Sequence, residues 1–265
     1  MHIIDRGSGT PIVLVPGLPG RWEYFAPTID ALARSFRVIT FSLCGELGCP
    51  RIDAARGMDS FADQIAAVLD SRGLERAIVC GISFGGVAAL RFAAEHPERT
   101  SALVLASTPG PGWHLERRHQ LYARFPWVFA PAFFAETPRR LRREIATAIP
   151  GRAARLRFAL WQLKTIVRAP VMLPRMAKRA ELIATVDFTR EASRISLPTL
   201  IVSGEAGLDH VVAPDTTSAY AELIQGARSV TFADTGHIGS VTRPDGFAAI
   251  IHEFARSLRR QDHAA

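Results

Sequence analysis

The chain has 265 residues, 48% of them hydrophobic, 22% charged and 8% aromatic, with 20 glycines and 17 prolines. This is the composition of a globular protein long enough to bury its own core, which excludes disordered, collagen-like and disulfide-scaffold chains. Lysine and arginine number 32 against 25 acidic residues, a formal charge of +7.

The first residues, Met1 to Arg6, lack a basic start followed by an apolar run, so no signal peptide is expected and the cytoplasm is the default location. Pro11-Ile12-Val13-Leu14-Val15 reads as a short buried strand running into the turn Pro16-Gly17-Leu18-Pro19-Gly20. Trp22 precedes a helix over 25–34, and a second strand spans 37–41. Residues 58–71 carry Phe61, Ile65, Val68 and Leu69 at helical spacing. A third strand over 77–80, a helix over 84–95 stopped by Pro97, and a fourth strand over 102–106 continue the alternation. This is the sequence form of a parallel sheet with crossover helices. Cys44, Cys49 and Cys80 have no metal-ligand spacing and read as small buried hydrophobes.

The rhythm then stops for roughly eighty residues. Helices are expected over 139–148 and 153–167, with Pro150-Gly151 between them and Pro170 and Pro174 beyond. Residues 113–187 hold 15 basic against 5 acidic side chains. No zinc-finger spacing or RNA-binding aromatic motif accompanies them, so the expectation is solvated helix faces and no nucleic-acid partner. The apolar run 125–135 is broken by Pro126 and Pro131 and falls well short of the ~20 residues that cross a bilayer. No membrane insertion is expected. Strand patterns resume over 198–202 and 229–232, with a helix over 214–224 between them and a last one over 245–258. Because the sheet pattern resumes, the expected class is α/β: one mostly parallel central sheet with helices on both faces, built from 1–107 and 196–265. Residues 108–195 form a helical insertion.

Gly81-Ile82-Ser83-Phe84-Gly85 lies between a strand and a helix pattern. That spacing suits a sharp strand-to-helix turn that exposes the serine hydroxyl, with glycines where side chains two residues either side would collide. Gly86 allows the helix to pack closely. Serine is a poor nucleophile unless a base takes its proton and a carboxylate orients that base. Of the histidines, His237 falls just past the last strand, on the carboxyl edge shared with Ser83. His96 ends a helix, His252 lies inside one, His2 and His263 are near the termini, and His114 and His119 belong to the insertion. Asp209, five residues past Gly204, is the favoured acid, with Glu205 and Asp215 as competitors and Asp234 directed along the strand end. Developing oxyanion charge needs fixed N–H donors. Phe84 supplies one; Pro16 and Pro19 have none, which leaves Gly17 and Leu18, with Leu18 favoured.

The ordered set of Gly81-Ile82-Ser83-Phe84-Gly85, Leu208-Asp209 and Thr235-Gly236-His237 resembles the alpha/beta-hydrolase superfamily, whose members use this chain order. The resemblance extends to the turn 16–20, to His96-Pro97-Glu98-Arg99 and to Arg243-Pro244. It implies a hydrolase core under a helical cap, with neither metal nor organic cofactor. The chain departs from the usual pattern at Pro16-Gly17, where His-Gly is common, and at Ser42-Leu43-Cys44-Gly45-Glu46-Leu47-Gly48, where Asp-x-x-Gly-x-Gly is common. Its acid loop is about two residues longer than usual, and only about ten residues precede the first core strand.

The expected function is hydrolysis of a carboxylic ester of a small molecule through an acyl-serine. A C–C bond hydrolase, lyase or cyclase using the same pocket, and a triad-bearing ligand receptor with slow turnover, are the alternatives. Serine at position 83 disfavours the aspartate-nucleophile dehalogenases and epoxide hydrolases. Trp22, Phe125, Trp127 and Trp161 are the candidates to line an apolar acyl or aryl pocket. Arg117, Arg118, Arg139, Arg140, Arg142 and Arg143 are candidates to meet an acidic substrate if any of them faces inward.

Overall fold

A computed structural model describes residues 2–262. Met1 and His263, named above, lie outside the described residues. Near-continuous apolar runs such as Ile12-Val13-Leu14-Val15 bury both faces of the central strands, and the sheet they form is the organising element. Strands β1 (Ile3–Arg6) and β2 (Pro11–Val15) are followed by a 3-10 turn (Trp22–Phe25), helix α1 (Ala26–Leu32) and β3 (Arg37–Phe41). Then come α2 (Asp59–Ser71), β4 (Ala77–Ile82), α3 (Phe84–Glu95) and β5 (Thr100–Ala106).

Between β5 and β6 (Thr199–Ser203) the chain forms five helices: α4 (Arg117–Arg124), α5 (Ala130–Ala148), α6 (Arg152–Arg168), α7 (Leu173–Ile183) and α8 (Phe188–Ser193). After β6 come α9 (Pro214–Ser218), α10 (Tyr220–Leu223), β7 (Arg228–Thr231), α11 (Gly239–Thr242) and α12 (Pro244–Asp262).

The sheet order is β1-β3-β2-β4-β5-β6-β7, with β1 antiparallel to β3 and every other pairing parallel. The short opening segment therefore still supplies one antiparallel edge strand. Period-two alternation divides the core in two. Val13, Val15, Ile39, Phe41, Val79, Leu103 and Ile201 face α2 and α3. Ile12, Leu14, Val38, Ile78, Val104 and Leu200 face α1 and α12. Order reverses where β2 is flanked by both β3 and β4, so the loops leaving β2 and β4 diverge from neighbouring strand ends. A crevice at the carboxyl edge opens at such a point.

Three expectations need correction. Helix α5 begins nine residues before 139 and runs through Pro138, because the Ala130–Ala135 stretch also forms helix and only one amide is lost at the proline. Helices α4, α7 and α8 were not expected; Pro174 sits in the first turn of α7, where a missing N–H costs nothing, rather than acting as a breaker. The single helix over 214–224 is two short ones meeting at Ala219, where Tyr220 turns into the core and donates its hydroxyl to the Pro109 carbonyl at 2.6 Å. Cys44 and Cys80 are buried and Cys49 is half-buried; all three are free thiols.

Candidate active site

Strand β4 ends at Ile82, and Ser83 turns the chain into α3 with φ 54° and ψ −122°. A non-glycine residue pays about 1–3 kcal/mol for such a conformation, so surrounding contacts must impose it. The Ser83 N–H donates to the Ala106 carbonyl, and the Ser83 carbonyl accepts from the Gly86 N–H, each at 2.8 Å. A Cβ on Gly81 would come within 2.4 Å of the Gly86 Cα, and one on Gly85 within 2.2 Å of the Val15 carbonyl oxygen. The turn is thus pressed against the end of β2, which brings the 16–20 loop beside Ser83. Among the described residues, neither the Leu18 nor the Phe84 N–H has a hydrogen-bond acceptor. The Phe84 N–H is one of the unpaired donors that open a helix.

His237 lies in the loop after β7, with Nε2 3.1 Å from Ser83 Oγ and Nδ1 3.3 Å from Asp209 Oδ2. With Nδ1–H donated to the carboxylate, Nε2 is left to accept the serine proton. Asp209 is held in turn: its Oδ1 accepts from the N–H groups of Val211 and Val212, both at 2.9 Å, and its side chain is 1% exposed. The competing acids are engaged elsewhere. Glu205 Oε1 accepts from the Asp234 N–H, Asp215 Oδ1 accepts from the neighbouring Thr216 N–H in the first turn of α9, and Asp234 pairs with Arg243. Burial works against a charged imidazole at His237, but the Asp209 carboxylate, by charge and hydrogen bond, and Glu144 outweigh it and raise its pKa.

The insertion contributes three buried or half-buried ionisable side chains, of which Arg140 alone is among the basic candidates named from sequence. Arg179 of α7, fully buried, donates to the Leu18 carbonyl (3.1 Å), the Cys44 carbonyl (3.1 Å) and Glu46 Oε1 (2.7 Å). Its guanidinium fills the space where a Cβ on Gly20 would lie. The loop carrying Leu18 is thereby tied to the loop after β3. Glu144 of α5, also fully buried, accepts from the Ile238 N–H at 2.8 Å. Arg140, one turn earlier, donates through Nε to the His210 carbonyl at 3.1 Å and lies 3.1 Å from His119 Nε2. Arg179 falls outside the arginines singled out from sequence. Glu144 stands next to Arg142 and Arg143 in a run that reads as a solvated face, so its burial left no local signal.

The four aromatic candidates separate into two pairs. Trp22 and Trp161 are half-buried and pack against the core cluster on the α1 and α12 side. Phe125 and Trp127 are 46% and 67% exposed. Among the basic candidates, Arg117, Arg118, Arg139, Arg142 and Arg143 are exposed. His96 lies tilted against Phe92 and His252 meets Phe36 edge-on, and neither is bonded to Ser83. Among the described residues no three His, Cys, Asp or Glu side chains gather as a metal site would require. No described helix is long and apolar enough to cross a membrane.

The family model of the alpha/beta hydrolase fold matches residues 10–244. Over 260 residues the chain is 28% identical to a pimeloyl-[acyl-carrier protein] methyl ester esterase of Nitrosomonas europaea, covering 94% of this chain and 97% of the esterase. It is 29% identical to a 2-hydroxymuconate semialdehyde hydrolase of a Pseudomonas species, covering 100% and 92%. Among solved structures, an enol-lactonase from Burkholderia xenovorans superposes with a TM-score of 0.77 at 23% identity, covering 96% of both chains, a likeness of fold.

Proposed function

The chain belongs to the alpha/beta hydrolase family, and from that premise we propose that it is a serine hydrolase of carboxylic esters. The observation that carries this reading is the continuous chain from Asp209 Oδ2 through His237 to Ser83 Oγ, with contacts of 3.3 and 3.1 Å. Ser83 Oγ attacks the ester carbonyl carbon while Nε2 of His237 takes the hydroxyl proton. The negative charge gathered on the carbonyl oxygen is met by the N–H groups of Leu18 and Phe84, which need no reorganisation to receive it. As the C–O bond to the alcohol breaks, His237 returns the proton to the leaving oxygen. Water then repeats the sequence on the acyl-serine and frees the acid. Asp209 keeps the ring in the tautomer that both steps require.

Ser83 is only 9% exposed, so the substrate carbonyl must come in beneath the insertion, which acts as a cap over the core. Trp22 and Trp161, half-buried against the core cluster, are the proposed contacts for an apolar acyl or aryl group. Phe125 and Trp127, being exposed, offer no enclosed wall, and the proposed pocket omits them.

Rapid mixing with a nitrophenyl ester tests the reaction class. A burst of nitrophenolate equal to the enzyme concentration, followed by slower turnover, is the expected trace. Steady turnover of a C–C bond substrate with no ester burst would favour the lyase-type reading. Saturable ligand binding unaffected by Ser83→Ala, with no turnover, would favour a receptor.

A further inference from the structure

Helix α5 reaches the site at two points one helical turn apart. Arg140 and Glu144 are spaced i, i+4 and so lie on one face. Arg140 holds the carbonyl of His210, the residue after Asp209, through Nε at 3.1 Å and through a second guanidinium nitrogen. Glu144 holds the N–H of Ile238, the residue after His237, at 2.8 Å. The acid loop and the histidine loop are otherwise joined near the sheet, where the Glu205 N–H donates to the Thr235 carbonyl at 2.8 Å. They converge again at Gly236, where a Cβ would lie 2.6 Å from the Leu208 carbonyl oxygen and 2.8 Å from Glu144 Oε2. Glycine before His237 is therefore required by the acid loop and the Glu144 carboxyl together.

We propose that α5 positions the Asp209–His237 pair for reaction, with Arg140 and Glu144 as positioning residues that grip the backbone just beyond the acid and just beyond the histidine. The inference rests on the serine-hydrolase reading. It assigns to the insertion a part in aligning the reacting groups in addition to covering them. A carboxyl group wholly removed from water is costly unless its bonds are needed. Glu144 is such a group: it is fully buried and, among the described residues, its Oε2 has no hydrogen-bond partner. Burial pushes its pKa up to about 7, against the opposing pull of the Gly236 and Ile238 amides and His237. Neither side chain touches Ser83. Their hydrogen bonds go to the loops and their charges reach His237, so their loss lowers the rate of the chemical step and leaves ester affinity nearly unchanged.

The test compares fluorophosphonate labelling, followed by intact mass, and ester kcat and KM in the wild type, Glu144→Gln, Glu144→Leu and Arg140→Met. Glutamine keeps an oxygen to accept the Ile238 N–H and leucine does not. Glu144→Leu is expected to slow labelling and kcat by about tenfold or more with KM within about twofold, because small misalignments of reacting groups are expensive. Glu144→Gln should stay within about threefold of wild type, and Arg140→Met should lose roughly three- to tenfold in kcat. Arg140 is part-exposed, so its variant and the glutamine variant decide the matter if the leucine variant does not fold. Labelling of folded Arg140→Met and Glu144→Leu at the wild-type rate would overturn the proposal, as would Glu144→Gln as slow as Glu144→Leu. A wild type that takes no label would instead remove the serine-hydrolase reading on which it rests.

Discussion

Burial alone would make His237 a weaker base, and the carboxylates around it decide the outcome. Asp209 and then Glu144 raise the imidazole pKa above its ordinary value. Glu144 is itself pushed from an ordinary 4.5 to about 7. In the unfolded chain its carboxyl ionises near 4.5, while in the folded protein it keeps its proton until about pH 7. Over that window the folded state binds the extra proton, so this group's contribution to stability falls as pH rises and is level above about 7. Glu144→Gln mimics the protonated form and removes that decline. Thermal midpoints measured at pH 5 and pH 8 should show the variant's advantage over wild type widening by roughly 5 °C at the higher pH. An offset that is the same at both pH values would contradict the assignment.

Helices α5 and α7 anchor the insertion through buried charge, which gives it a defined seat on the core. Arg179 and Glu46 form a pair with side chains 0% and 2% exposed, and Arg175 adds a second contact to Glu46 at 3.1 Å. Removing one member of such a pair strands the other, whereas replacing both with apolar side chains removes the desolvation cost along with the attraction. Arg179→Met alone should therefore cost about 3–5 kcal/mol in urea unfolding, toward the lower figure because Arg175 remains. The double variant Arg179→Met/Glu46→Met should recover most of that loss. Equal losses in the single and double variants would contradict this account of the anchor. Such anchors are hard to read from sequence, because Arg179 and Glu46 are 133 positions apart in the chain and Glu144 and Ile238 are 94 apart. The core strands were legible because a short apolar run such as Ile12-Val13-Leu14-Val15 is a local signal, and its residues turn alternately to the two clusters. Helix α7 was obscured by Pro174, whose meaning depends on whether it opens a helix or ends one. Helix α4 was obscured because its Arg117–Arg124 sequence has no buried residue to mark a face.

For the molecule as a whole, the sheet brings together what the chain separates: Ser83 after β4, Asp209 after β6 and His237 after β7 share one edge. Their meeting was expected from the spacing of the glycines around Ser83 and from the chain order and strand-end positions of Asp209 and His237. Of their supports, Arg140 was one of six arginines that could have faced inward, while Glu144 and Arg179 carry no local signal and emerged only from the fold. The insertion's surplus of basic residues, 15 against 5 over residues 113–187, is held largely at the surface, with Arg140 and Arg179 turned inward onto carbonyls and a carboxylate. The central claim is that Ser83 is activated by His237. The most direct measurement is intact mass after incubation with a fluorophosphonate, on the wild type beside Ser83→Ala and His237→Ala. The account predicts one adduct per wild-type chain and none on either variant. A folded wild type that takes no adduct, or a Ser83→Ala variant that still takes one, would contradict it.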